Sequence, residues 1–188
     1  EVGALLILDE VQTGLGRTGR WFACNHWDVT PDVLVLAKAL GGGMPLGAFL
    51  AAPDVMRCLS ENPPLSHVTT FGGHPVCCAA GLAGLEVLAE ERLPERAAAL
   101  GSRIRTAFWS LRELYGGIVA VRGKGLLIGV ELDSAERTRR LVEHAFRHGL
   151  ILGWTLHTET VIRVAPPLVL TEEELTEGLA LFEAALAA

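Results

Sequence analysis

Lysine is scarce in this sequence: only Lys38 and Lys124 are lysine among its 16 basic residues, and the rest are arginine. Cysteine is scarce as well. Cys24, Cys58, Cys77 and Cys78 form no Cys-x-x-Cys pair, so neither a disulfide framework nor paired zinc ligands is written into the chain. The stretch His74-Pro-Val-Cys77-Cys78, with His67 nearby, fits buried small thiols on a helix better than a metal cluster. No metal site is expected, and a reducing, cytoplasmic setting is. No run approaches the ~20 apolar residues of a membrane span. The N-terminus lacks the basic patch, apolar stretch and small-residue cleavage site of a signal peptide. Neither sign of charge forms a block. The 16 basic and 22 acidic residues are interspersed, with a net charge of −6, which excludes a general electrostatic grip on nucleic acid or anionic lipid.

What is present is apolar material. Half of the 188 residues are hydrophobic, rich for a length that suggests one domain or slightly more. The surplus is read as surface that another part of the protein covers. The chain opens on Ala4-Leu5-Leu6-Ile7-Leu8, a run that reads as a buried strand. A chain that starts inside a core strand is expected to be cut from something longer.

The first half alternates short apolar runs with loop or helical material. Leu5 to Leu8, Val33 to Leu36 and Ala48 to Ala51 read as strands, with a helix around Arg20 to Trp27. This pattern predicts an α/β sheet buried on both faces. The spacing then predicts one helix from Pro75 to about Glu90 and another from Pro94 to about Leu114. The remainder has a different rhythm. Strands are expected at Val119–Arg122, Leu126–Leu132, Leu150–Leu152 and Val161–Val164. Ser134 caps a charged helix running to His148, and Thr171 with Glu174 makes a capping box for a last helix. The division is placed near residue 90, with residues 1–90 as an α/β part and 91–188 as an α+β part.

Two polar residues follow buried-strand runs. Asp9 and Lys38 stand 29 positions apart, close to the ~30 residues of one strand–crossover–strand unit. Such a unit makes the strands parallel and brings both residues to the carboxyl edge of the sheet, where open α/β folds bind ligands. Lys38 lies among Leu36, Ala37, Ala39 and Leu40. That context predicts a desolvated amine ready to attack a carbonyl, or an ordinary snorkelling lysine. Asp9 either caps a turn or holds a ligand's ring nitrogen protonated. A Schiff-base lysine with a pyridinium-stabilising aspartate is the pairing that pyridoxal phosphate chemistry needs. Gly14, Gly16 and Gly19 match no phosphate-loop or dinucleotide spacing and read as turn glycines. Arg137, Arg139 and Arg140 read as a solvated helix face.

Five segments carry a resemblance. Leu8-Asp-Glu-Val-Gln-Thr-Gly-Leu-Gly-Arg-Thr-Gly19 resembles the aspartate segment of the class III (ω-amino acid) aminotransferases. Leu36-Ala-Lys-Ala-Leu-Gly-Gly-Gly-Met-Pro-Leu-Gly-Ala48 resembles that family's lysine segment, and Thr70-Phe-Gly-Gly-His-Pro75 its phosphate-binding turn. Val121-Arg-Gly-Lys-Gly-Leu126 and Ile162-Arg-Val-Ala-Pro-Pro-Leu168 resemble two segments of its small domain. They come in the family's order and register along the whole chain.

The resemblance implies a pyridoxal-phosphate transferase of fold type I. Residues 1–90 would be the second half of the large domain, with a mainly parallel sheet, and 91–188 the small α+β domain. Asp9 would pair with the pyridine nitrogen, Val11 would pack on the ring, and Gln12 would bond its phenolic oxygen. Lys38 would hold the cofactor as a Schiff base and then shuttle the proton. Thr70 would bind the phosphate of the neighbouring subunit's site in a homodimer, and Arg163 would clamp a substrate carboxylate. The lesser alternative for Arg163 is a structural ion pair.

The implied reaction moves an amino group from an ω-amine or amino acid to a 2-oxo acid, commonly 2-oxoglutarate. Thr155-Leu156 ahead of the Arg163 segment looks most like the putrescine and ornithine branches. A mutase or decarboxylase of the same fold, and a truncated copy serving only dimerisation or binding, stand as the rival readings. Two departures are visible: His74 where the family usually has Asn, and Val68 where Gly is common. The family's first half is absent from the chain, so this piece alone is expected to be inactive.

Overall fold

The computed structural model describes residues 3–154 and 158–188; Thr155-Leu156, which carried the branch assignment, lies outside them. The described residues fall into two compact units, 3–16 with 20–93 and 17–19 with 94–188.

In the first unit, β1 (Ile7–Asp9) pairs parallel with β2 (Val33–Leu36), and β2 pairs antiparallel with β3 (Ala48–Ala51). The first strand starts two residues later than its apolar run. Leu6 N donates to Asp32 Oδ2 at 2.7 Å, and Leu6 O accepts from Asp32 N and Val33 N, so the side chain of Asp32 occupies the place where the ladder would begin. The helix expected around Arg20–Trp27 is only a 3-10 turn, Ala23–His26. Gly19 precedes it at φ 91°, and Asp28 follows it at φ 52°; neither conformation continues a helix. The burial expected on both faces of the sheet is not found within this chain. Ile7 is 59% and Leu50 51% exposed.

Beyond the short α1 (Pro53–Met56), α2 spans Pro75–Glu90, the limits expected from its spacing. Proline at its first position needs no amide donor there. Gly81 of α2 sits on the 3-10 turn Lys38–Gly41: a Cβ at Gly81 would lie 2.6 Å from Leu40 O. Helix and turn therefore meet backbone to backbone.

The second unit packs α3 (Leu93–Tyr115), α4 (Ala135–Arg147) and α5 (Glu172–Ala187) with an antiparallel sheet. Its strands are β4 (Ile118–Lys124), β5 (Leu127–Leu132), β6 (Gly153–Trp154) and β7 (Val161–Val164), in the order β4-β5-β7-β6. Ala97, Leu100, Ile104, Phe108 and Leu111 form the buried stripe of α3 at three- and four-residue spacing. On β5 the buried residues Ile128, Val130 and Leu132 alternate. Phe108 and Phe182 close the core with ring centroids 4.6 Å apart.

Ser134 Oγ accepts from Arg137 N, and Thr171 and Glu174 exchange the two bonds of a capping box, both as expected. The strand expected at Leu150–Leu152 lies instead at Gly153–Trp154. Leu150 N bonds back to Ala145 O and is spent closing α4.

Candidate active site

Asp9 ends β1 opposite Val35, and Glu10 N donates to Val35 O at 2.9 Å. Three residues beyond Val35 the chain reaches Lys38. Because β1 and β2 run parallel, Asp9, the turn residues Val11 and Gln12, and Lys38 all issue from the carboxyl edge of these two strands. Asp9 is exposed, and its Oδ1 accepts from Val11 N at 3.0 Å.

Lys38 opens its 3-10 turn at φ 50°. This left-handed conformation costs a non-glycine residue about 1–2 kcal/mol, and such strain clusters at functional sites. The contact of α2 with the turn keeps it there. The desolvation expected from the apolar flanks of Lys38 is not found, since the side chain is exposed in this chain.

Thr70 lies exposed in the turn before α2, and its hydroxyl makes no hydrogen bond among the described residues. His74 stands at the N-cap of α2 without a side-chain cap bond. An asparagine there would be among the best caps, so the departure at 74 leaves the helix entrance uncapped by its side chain.

Two residues of this region were not singled out by sequence reasoning. Glu10 is 4% exposed and accepts from Thr13 Oγ1 at 2.5 Å, Ala23 N at 2.9 Å and Cys24 N at 2.8 Å. Burial pushes its carboxyl up, but these donors outweigh burial and hold it below the usual value of 4.5. Its sequence signal is the strand period: an acid directly after an outward-facing Asp9 faces inward and requires donors. Burial and the Glu10 charge together push the Cys24 thiol up, away from the thiolate form.

The other is Arg17. The chain lends residues 17–19 to the second unit, where Arg17 Nη1 donates to Leu126 O at 3.1 Å and Pro166 O at 2.5 Å. It thereby ties the segment before β5 to the segment after β7. Nothing local in the sequence announces bonds that span more than a hundred residues.

Arg163 lies exposed on β7, paired in register with Gly129 of β5 and Gly153 of β6. A Cβ on Gly153 would stand 3.1 Å from Arg163 Nε. The side chain missing at Gly153 thus leaves room for the guanidinium. The alternative of a structural ion pair finds no partner: Arg163 has no carboxylate within bonding distance among the described residues. It lines a cavity of about 490 Å³, shared with Phe108, Leu150, Leu152 and Phe182.

The chemistry of this donor set fits pyridoxal phosphate. An outward-facing carboxylate suits a ring nitrogen, and a strained, exposed primary amine at the same sheet edge suits the aldehyde.

The comparisons with known proteins agree. An ornithine aminotransferase from Toxoplasma gondii, whose active site is described as partly occupied by the same cofactor, shares 40% identity at a TM-score of 0.87. The match covers 98% of this chain and 43% of that one. An acetylornithine aminotransferase from Elizabethkingia anophelis shares 42% identity at a TM-score of 0.87, over 97% of this chain and 45% of that one. An S-selective transaminase from Arthrobacter sp. shares 30% at 0.88, over 98% and 44% respectively. The chain thus spans less than half the length of these solved relatives. The family model of the class-III aminotransferases matches residues 1–186, and the chain belongs to that family.

Proposed function

We propose that the whole protein moves an amino group from an ω-amine or amino acid of the diamine or ornithine type to a 2-oxo acid such as 2-oxoglutarate. The observation that carries the reading is the arrival of Lys38 and Asp9 at one sheet edge, with Lys38 held in a strained backbone conformation. Pyridoxal phosphate supplies the electron sink when bound. The chain's own residues do the rest. Asp9 holds a proton on the ring nitrogen, Val11 packs against the ring face, and Gln12 donates to its phenolic oxygen. Lys38 Nζ would hold the cofactor at its aldehyde carbon and, once displaced by the substrate amine, would serve as the base that takes and returns the proton at the substrate carbon. Thr70, whose hydroxyl is unengaged, binds the phosphate in the neighbouring subunit of a cytoplasmic homodimer. Residues 1–90 serve as the second half of the large cofactor domain, and 91–188 as the small domain.

Arg163 orients a substrate carboxylate by a bidentate bond. Arg163→Ala in the whole protein is expected to raise KM for a carboxylate-bearing donor about 10–100-fold, the loss of a charge-assisted pair. The half-reaction with a diamine, which has no carboxylate, stays near its original rate. Stopped-flow kinetics of the two half-reactions measures this split. Equal losses with both donors would remove Arg163 from the substrate site.

A further inference from the structure

Every polar group of Glu10 is engaged within its own unit. Its amide donates to Val35 O, its carbonyl accepts from Gly14 N, and its carboxylate takes the Thr13 hydroxyl and the amides of Ala23 and Cys24. These donors come from both ends of the loop that leaves β1 at Asp9 and returns at Ala23. Val11 and Gln12 lie between Glu10 and the first of these donors, Thr13. The amide of Val11 is the group that bonds Asp9 Oδ1, so the orientation of the Asp9 carboxylate depends on where this turn is held. The bonds form a chain: Glu10 carboxylate to Thr13, Ala23 and Cys24, then the 11–13 backbone, then Val11 N–H to Asp9.

We propose that Glu10 is a positioning residue for the cofactor, one that sets the orientation of Asp9 through the turn carrying Val11 and Gln12. The inference rests on the reading that Asp9 meets the cofactor's ring nitrogen. It goes beyond that reading because the Glu10 carboxylate is spent on Thr13, Ala23 and Cys24 rather than offered to a ligand. Two features make it more than a satisfied core acid. First, three donors converge on one side chain, two of them backbone amides. Second, an amide in its place fails. Oε2 accepts from Ala23 and Thr13 while Oε1 accepts from Cys24, so either orientation of a glutamine turns an NH₂ group toward a donor.

The test uses the whole protein as Glu10→Gln, Thr13→Val and Asp9→Asn, each checked for folding by circular dichroism. Two quantities are read: pyridoxal phosphate affinity, and the pH midpoint of the bound cofactor's absorbance. Glu10→Gln is expected to weaken affinity about tenfold or more, as for a buried donor left without an acceptor. It should also displace the midpoint in the same direction as Asp9→Asn. Thr13→Val, which removes one donor only, moves both quantities the same way by less, and it decides the matter if Glu10→Gln does not fold.

A Glu10→Gln protein with a lower Tm but unchanged affinity and midpoint, beside an Asp9→Asn that shifts both, overturns the proposal and leaves the site reading standing. The same holds for an unshifted Thr13→Val when that variant decides. An Asp9→Asn that moves neither quantity overturns the site reading and the proposal with it.

Discussion

Replacing Lys38 by glycine in the whole protein is expected to lower turnover by at least about 10²–10⁴-fold, the range a positioned proton-transfer group contributes. The cofactor-free fold loses nothing. Lys38 sits at φ 50°, where a side chain costs about 1–2 kcal/mol and glycine sits without that strain. Glycine's greater freedom in the unfolded chain offsets part of the gain, so stability is unchanged or rises by up to about 1 kcal/mol. Activity then falls while the urea unfolding midpoint of the same preparation holds or rises. That is the signature of strain held at a working residue rather than at a structural one. A parallel fall in both would mark Lys38 as a packing residue.

Gly42→Ala is expected to be the most damaging change in the turn that follows. Gly42 stands at φ 56°, and a Cβ there would lie 2.2 Å from Ala80 O, a backbone atom inside α2. A helix carbonyl cannot step aside as a flexible side chain can. The backbone penalty and the forced separation of turn and helix together cost about 2–5 kcal/mol. The turn begins at Lys38, so cofactor retention falls with stability. Gly43 provides the control. It has φ 97°, and a Cβ there would meet nothing within 4 Å, so Gly43→Ala meets strain alone and costs about 1–2 kcal/mol. Urea unfolding of the two variants separates the contributions. Equal losses would mean that the close approach of α2 does not hold the turn.

Local chemistry made much of this fold legible. The proline that opens α2, the Ser134 cap and the Thr171–Glu174 box act within a few residues, and each element starts where its signal stands. The shared edge of Asp9 and Lys38 was readable because a crossover of that length makes neighbouring strands parallel. What stayed hidden depends on partners distant in sequence. The place of β6 is set by its pairing with β7, whereas its apolar run had already been spent on α4 and the core. The bonds of Arg17 reach Leu126 and Pro166, and the glycines of α2 matter only because a turn forty residues earlier lies against them. The exposed faces of the first sheet have a related cause. Among the described residues no element covers Ile7 or Leu50, and the solved relatives are more than twice as long as this chain.

The most direct test of the central claim uses the scarcity of lysine. Pyridoxal phosphate is added to the whole protein, the adduct is fixed with borohydride, and the modified residue is mapped by mass spectrometry. Of the two lysines in this chain, Lys38 and Lys124, modification is expected at Lys38 and not at Lys124. A folded protein that carries no modification at Lys38 would contradict the claim.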